Sequence, residues 1–302
     1  MNLKPHAIGA SLCLLLLGSR ATADSTRPQL PLDVAINKEA GRGGPLIVTL
    51  RLESGEGLPF LVDTGAPVTL IDKSLERKLG RRLGTTNVIS VWETEKSGIY
   101  AMPKLYLGGT RLMTGDRIIT HRESPQGNRQ APRAGFRVMG ILGMDCLRHY
   151  CIQLDFEAGR LRFLDSDSTN AAGLGRAFPL TFNGGCPHIH DDGFVGGGTN
   201  LIVDVGCSID GLVNEGAIKG LAVLSPECVW EGHTYTNIMV AAMDHANVLG
   251  LRFLARHLVT LDFPKQTMYL KQTSIGPLTG DLSTRISPLG NLQSPVECLA
   301  AR

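Results

Sequence analysis

Apolar residues in this chain come in short runs, and two of the runs end the same way. Phe60-Leu61-Val62 leads into Asp63-Thr64-Gly65-Ala66, and Leu201-Ile202-Val203 leads into Asp204-Val205-Gly206-Cys207. Each reads as a buried strand that meets an acid and then a glycine, where the backbone can turn and approach a neighbour closely. The flanking pattern predicts a partner strand before each one. In the first half these are 46–52 and 59–63, joined by a turn at 53–57. In the second they are 187–191 and 201–204, joined by a glycine-rich turn at 193–198. Helical periodicity is scarce. Short helices fit only at 74–79 and, in the matching place, 214–219. With 36 Gly and 16 Pro, many short strands joined by turns are expected.

A second pair of blocks repeats downstream. Ile141-Leu142-Gly143-Met144 continues to Gln153-Leu154-Asp155-Phe156, and Val248-Leu249-Gly250-Leu251 continues to Thr260-Leu261-Asp262-Phe263, without a gap. A third echo is Val91-Trp92-Glu93 against Val229-Trp230-Glu231. Three ordered echoes indicate a duplicated unit. From the acid to the Leu-Gly block, the first half spans 78 residues (141 − 63) and the second only 44 (248 − 204), so the second half has lost an insertion. The expected organisation is an N-terminal lobe at 24–166, a C-terminal lobe at 167–273 with the linker near 165–176, and an irregular tail at 274–302.

The frame of two apolar residues, Asp63-Thr64-Gly65-Ala66 and the later Ile141-Leu142-Gly143 resembles the retropepsin-like and pepsin-like aspartic proteases, over roughly 45–272. The second half matches the pattern less well. The resemblance implies an all-β, bilobal pepsin-like fold, with two pseudo-twofold-related barrel-like lobes and a cleft between them. It implies that Asp63 and Asp204 share a water and hydrolyse peptide bonds as a general acid–base pair. Gly65 and Gly206 would let the backbone reach the carboxylates, and Thr64 would send its hydroxyl across the interface. Val205 stands where a second threonine is expected and has no hydroxyl. Ala66 and Cys207 also lack one, which points to a mildly acidic rather than a strongly acidic optimum. A flap is expected from Trp92 to Tyr100, with Trp230 to Tyr235 opposite; core packing is the competing reading of both tryptophans. The alternative function is a catalytically impaired homologue that binds peptides or proteins in the same cleft.

Residues 1–23 read as a signal peptide. Lys4 and His6 precede an apolar run at 7–18, and Ala21-Thr22-Ala23 offers a cleavage site. That run is too short to span a bilayer, so export to the periplasm or the extracellular space is expected, without stable membrane insertion. The net charge of +2 gives no polyanion signal and hence no nucleic-acid partner. The lobes differ in sign: 24–166 carries 20 − 16 = +4 and 170–273 carries 6 − 9 = −3, with six arginines in 111–137 that read as a solvated insertion. Cys146 and Cys151 are near enough in sequence for a disulfide if the turn allows. Cys207 reads as a small buried residue. His188 and His190 share a strand face, but an ordinary strand is the better reading than a metal site. No cofactor is expected. The partner is a peptide or protein substrate, and a monomer follows if both acids lie on one chain.

Overall fold

A computed structural model describes residues 29–89, 94–122, 137–190, 194, 200–214, 222–243 and 247–278. Within them the chain forms three sheets of nine, seven and six strands, with three helical turns at Lys73–Lys78, Met144–Leu147 and Leu251–Leu254. The all-β, bilobal expectation describes this architecture. The turn expected at 74–79 is present as a 3-10 turn shifted by one residue, capped by Asp72, which accepts from Ser74 N at 2.8 Å. The leader 1–23, most of the tail and nearly all of 214–219 lie outside the described residues.

The two lobes repeat one core motif. In lobe one, Gly140–Leu142 runs parallel to the Asp63 strand Gly57–Val62 (Ile141 beside Leu61) and antiparallel to Leu70–Asp72. In lobe two, Val248–Gly250 runs parallel to the Asp204 strand Asn200–Asp204 (Val248 beside Ile202) and antiparallel to Gly211–Asn214. Inserting the Leu-Gly strand between the acid strand and the outgoing strand buries all three on both faces, which explains their unbroken apolar runs. Gly143 and Gly250 are demanded by this crossing. A Cβ at Gly143 would lie 2.5 Å from Val68 O, and one at Gly250 would lie 2.2 Å from Ile209 O.

Both lobes contribute to the six-stranded sheet, in the order Val34–Ala35, Arg160–Leu164, Cys151–Asp155, His257–Asp262, Thr267–Gln272, Arg176–Pro179. Cys151–Asp155 and His257–Asp262 are the repeated Leu-Asp-Phe segments, and they pair antiparallel with Gln153 opposite Thr260. Those two positions are equivalent in the repeat, so the pseudo-twofold axis passes between them. Gln153 Nε2 donates to Thr260 Oγ1 at 3.0 Å there.

The Val-Trp-Glu echo is not a structural equivalence. Thr94–Ala101 lies beside Arg117–His121 (Ile99 opposite Ile119), and Ala222–Trp230 lies beside His233–Met243 (Val223 opposite Val240). Ile119 and Val240 flank equivalent residues, Leu70 and Gly211. Ile99 therefore matches Val223, an offset of 124 (223 − 99), so Trp230, at the far end of its strand, is not matched to the segment that precedes Thr94. Lobe two closes with the two-residue turn Glu231-Gly232 where lobe one spends the stretch from 102 to 116, which accounts for part of its shorter spacing.

Trp230 and Tyr235 sit at that turn and point into the lobe-two core. Trp230 stacks on Phe178 at 5.2 Å and meets Phe253 edge-on at 5.2 Å, while Tyr235 shares a hydrogen bond with His257 Nε2 at 2.8 Å. Burial pushes the His257 imidazole down to about 4, from an ordinary 6.5. A folded state that keeps His257 neutral binds fewer protons than the unfolded chain between those values. Its contribution is therefore complete above pH 6.5 and falls by about 3 kcal/mol as the pH drops to 4. His257→Gln should remove this slope, read as the difference between its denaturation curves and the parent's across pH 4–7.

Candidate active site

The motif repeated in the two lobes delivers Asp63 and Asp204 to one buried point. Each carboxylate is fixed by its own loop: Gly65 N donates to Asp63 Oδ1 at 2.8 Å, and Gly206 N donates to Asp204 Oδ1 at 2.7 Å. Each loop also covers the opposite acid. A Cβ on Gly65 would lie 2.8 Å from Asp204 Cγ, and one on Gly206 would lie 2.5 Å from Asp63 Cγ. Only glycine permits this reciprocal approach.

The two acids lie close enough for each to act on the other's acidity. Two buried carboxylates cannot both ionise at that range. Burial, then the charge of Asp204 and its hydrogen bond, hold the Asp63 carboxyl well above the usual carboxylate range. Burial also raises Asp204, against the pull of Gly206 N and of the bond from Asp63. Asp204 Oδ2 is buried without a hydrogen-bond partner, and a proton held between the two acids would satisfy it. The pair titrates as a unit.

Thr64 makes the cross-lobe contact in one direction. Its hydroxyl donates to Val203 O at 2.6 Å and accepts from Val205 N at 3.0 Å. Val205 is fully buried and returns no side-chain bond. Ala66 is also buried, and its carbonyl accepts from Met144 N at 2.8 Å, as Cys207 O accepts from Leu251 N at 2.7 Å. Both bonds tie the acid loop to the turn after the Leu-Gly strand. Burial raises the Cys207 thiol far above its ordinary value, so it is an inert packing group beside Asp204.

Other sequence candidates fall elsewhere. Tyr100 lies on the hairpin Arg82–Ile89/Thr94–Ala101 that carries the expected flap, but it is buried at the base, where its hydroxyl bonds Glu76 of the 3-10 turn. Trp92 lies outside the described residues. Trp230 and Tyr235 are core residues rather than a second flap, because the echo that nominated them is out of register. Cys146 and Cys151 are free thiols and do not form the disulfide their spacing allowed. Cys186 is disulfide-bonded, and its sulfur lies 3.2 Å from Gly65 O. His188 is buried, with Nδ1 3.0 Å from Cys186 O, whereas His190 is exposed. Among the described residues no group of three His, Cys, Asp or Glu could hold a metal ion.

One cluster escaped sequence inspection. Offsets of 141 (204 − 63) and 107 (250 − 143) map Thr69 onto Asp210 and Asp145 onto Arg252. In lobe one the pair is a hydrogen bond, Thr69 Oγ1 to Asp145 Oδ1 at 2.6 Å. In lobe two it is a buried ion pair, joined by Arg256 Nη2 at 2.8 Å from Asp210 Oδ1. The positions correspond while the residue types differ, so a search for identities passes over them.

The paired lobes, the shared sheet and the central acids define a pepsin-like aspartic protease fold. Among solved structures the chain is similar to basic 7S globulin from soybean, with a TM-score of 0.53 and 11% identity, covering 82% of this chain and 96% of that one. No family model matches the sequence, and no curated protein does.

Two outcomes follow from the site. A carboxyl raised on folding binds more protons in the folded state, so its stability is present at low pH and is lost as pH rises through the folded value. Asp204→Asn removes one buried charge and lets the amide donate to Asp63, and it should raise the melting temperature at pH 7 relative to pH 4. Val205→Thr should add about 1 kcal/mol, as for one net hydrogen bond. Melting at neutral pH checks this, and a clear loss would mean that the added hydroxyl finds no acceptor.

Proposed function

We propose that the protein is an exported aspartic endopeptidase acting on a peptide or protein substrate. One observation carries this reading: two buried carboxyls from two lobes, each gripped by its own loop N–H and in contact with the other. In this reading Asp204 is the ionised partner and takes a proton from water as the oxygen attacks the peptide carbonyl carbon. Protonated Asp63 donates to the carbonyl oxygen, which becomes a hydroxyl of the tetrahedral intermediate. Collapse of that intermediate breaks the C–N bond as a proton passes to the leaving nitrogen, and the pair returns to its one-proton state. Lowered acidity of both carboxyls, caused by burial, supports an optimum that is mildly rather than strongly acidic. Both acids lie on one chain, which supports a monomer. The charged, apolar and small-residue stretches of 1–23 support export; among the described residues no helix is long and apolar enough to cross a membrane.

A second reading is a peptide- or protein-binding module with weakened chemistry. Val205 favours it, because one of the two cross-lobe bonds is missing, and the structural neighbour bears the name of a globulin rather than of an enzyme. Cleavage of a denatured protein between pH 3 and 7, with and without a transition-state-mimicking peptide inhibitor, separates the two. The endopeptidase should cleave, be blocked by the inhibitor, and lose turnover in both Asp63→Asn and Asp204→Asn. Inhibitor binding without cleavage supports the binding module.

A further inference from the structure

Lobe two holds Asp204 in the mirror position of Asp63, although Val205 cannot reach across as Thr64 does. We propose that Asp210 is a positioning residue for Asp204, anchoring the acid loop from within lobe two in place of the missing cross-lobe hydroxyl; this rests on the peptidase reading above.

Asp210 ends the loop that begins at Asp204. Its buried carboxylate receives Arg252, Arg256 Nη2 at 2.8 Å and Met239 N at 2.7 Å. Its backbone carbonyl accepts from Gly250 N at 2.9 Å. Arg252 belongs to the turn that also holds Cys207 O through Leu251 N, so side chain and backbone fasten the same loop to the same turn. At the equivalent place lobe one has a hydroxyl in place of the carboxylate: Thr69 Oγ1 donates to Asp145 Oδ1 at 2.6 Å and accepts from Gly143 N at 3.2 Å, with no guanidinium among the described residues. A charge-assisted bond is roughly twice as strong as a neutral one, and a single carboxylate facing two guanidinia has few alternative positions.

The arginines carry the anchorage outwards. Both donate to Asn237 O, Arg252 Nη1 at 3.1 Å and Arg256 Nη2 at 3.3 Å. Asn237 has φ 54, in the left-handed region, opposite Pro226, where the ladder skips from Ser225–Ile238 to Glu227–Thr236. Arg256 Nη1 also donates to Thr236 O at 2.7 Å and to Ile275 O at 3.2 Å. The acid loop of lobe two is therefore fastened to its long hairpin and to the segment after its last strand. The lobe that lacks the hydroxyl is the lobe that carries the ionic anchor.

The test is a double-mutant cycle in the full chain. Asp210→Asn removes the charge at nearly constant volume. Asp210→Glu keeps the charge but displaces it by one methylene, and it serves if the asparagine variant does not fold. Two readouts are taken: kcat and KM on a denatured protein substrate, and the pH midpoint of the stability difference between each protein and its Asp204→Asn derivative. The second reads the acid pair without requiring turnover. The expected result is a fall in kcat of roughly tenfold or more with KM changed less than about threefold, together with a shifted midpoint. Val205→Thr added to either variant should recover most of the lost kcat and return the midpoint towards the parent's value. A folded Asp210 variant with parental kcat and midpoint would overturn the proposal, as would strict additivity with Val205→Thr. If the parent protein cleaves nothing, the peptidase reading fails alone. The midpoint then still decides whether Asp210 places Asp204.

Discussion

Two carboxyl groups buried against each other set the terms for the rest of this structure. Their mutual repulsion and loss of water work against folding, and a shared proton removes only part of that cost. The remainder is met by geometry: a glycine beside each acid, an N–H aimed at each outer oxygen, and a Leu-Gly strand threaded beneath each loop. The six-stranded sheet supplies what the acids cannot, an apolar and hydrogen-bonded attraction between the halves. Without the Gln153–Thr260 seam and the strands beside it, the charge at the centre would drive the lobes apart.

The two lobes meet the same requirement by different means. Lobe one relies on a hydroxyl that crosses the interface and on a hydroxyl-to-carboxyl brace at Thr69 and Asp145. Lobe two has an apolar residue at the crossing point and places its polar groups deeper, in a buried cluster of one acid and two arginines. Duplication makes such divergence possible. Once the halves are joined, a residue no longer has to suit both sides of an axis.

Sequence inspection reached the parts of the fold that rest on apolar pattern and on glycine. The acid loops and the repeated Leu-Gly and Leu-Asp-Phe blocks were legible because burial on both faces leaves uninterrupted apolar runs, and close crossings leave a glycine; the antiparallel pairing of the Leu-Asp-Phe strands was not. It failed where identity and position parted. Val229-Trp230-Glu231 matches Val91-Trp92-Glu93 letter for letter, but the first lies at the end of the strand that pairing matches to Thr94–Ala101 while the second precedes Thr94–Ala101. Two large aromatics were assigned to a flap when the lobe-two core needed them. Asp210 and Arg252 are the opposite case, in register with Thr69 and Asp145 but sharing no letters with them. Register is fixed by pairing across the sheet, and no local pattern records it.

The unequal acids have one more consequence. A site with true twofold symmetry presents the same face to a chain laid across it in either sense, so it cannot tell which end came first. Here the hydroxyl crosses from Thr64 alone, and the ionic cluster lies on the Asp204 side. The centre of the molecule therefore has a polarity, with two chemically distinct sides on a repeated backbone.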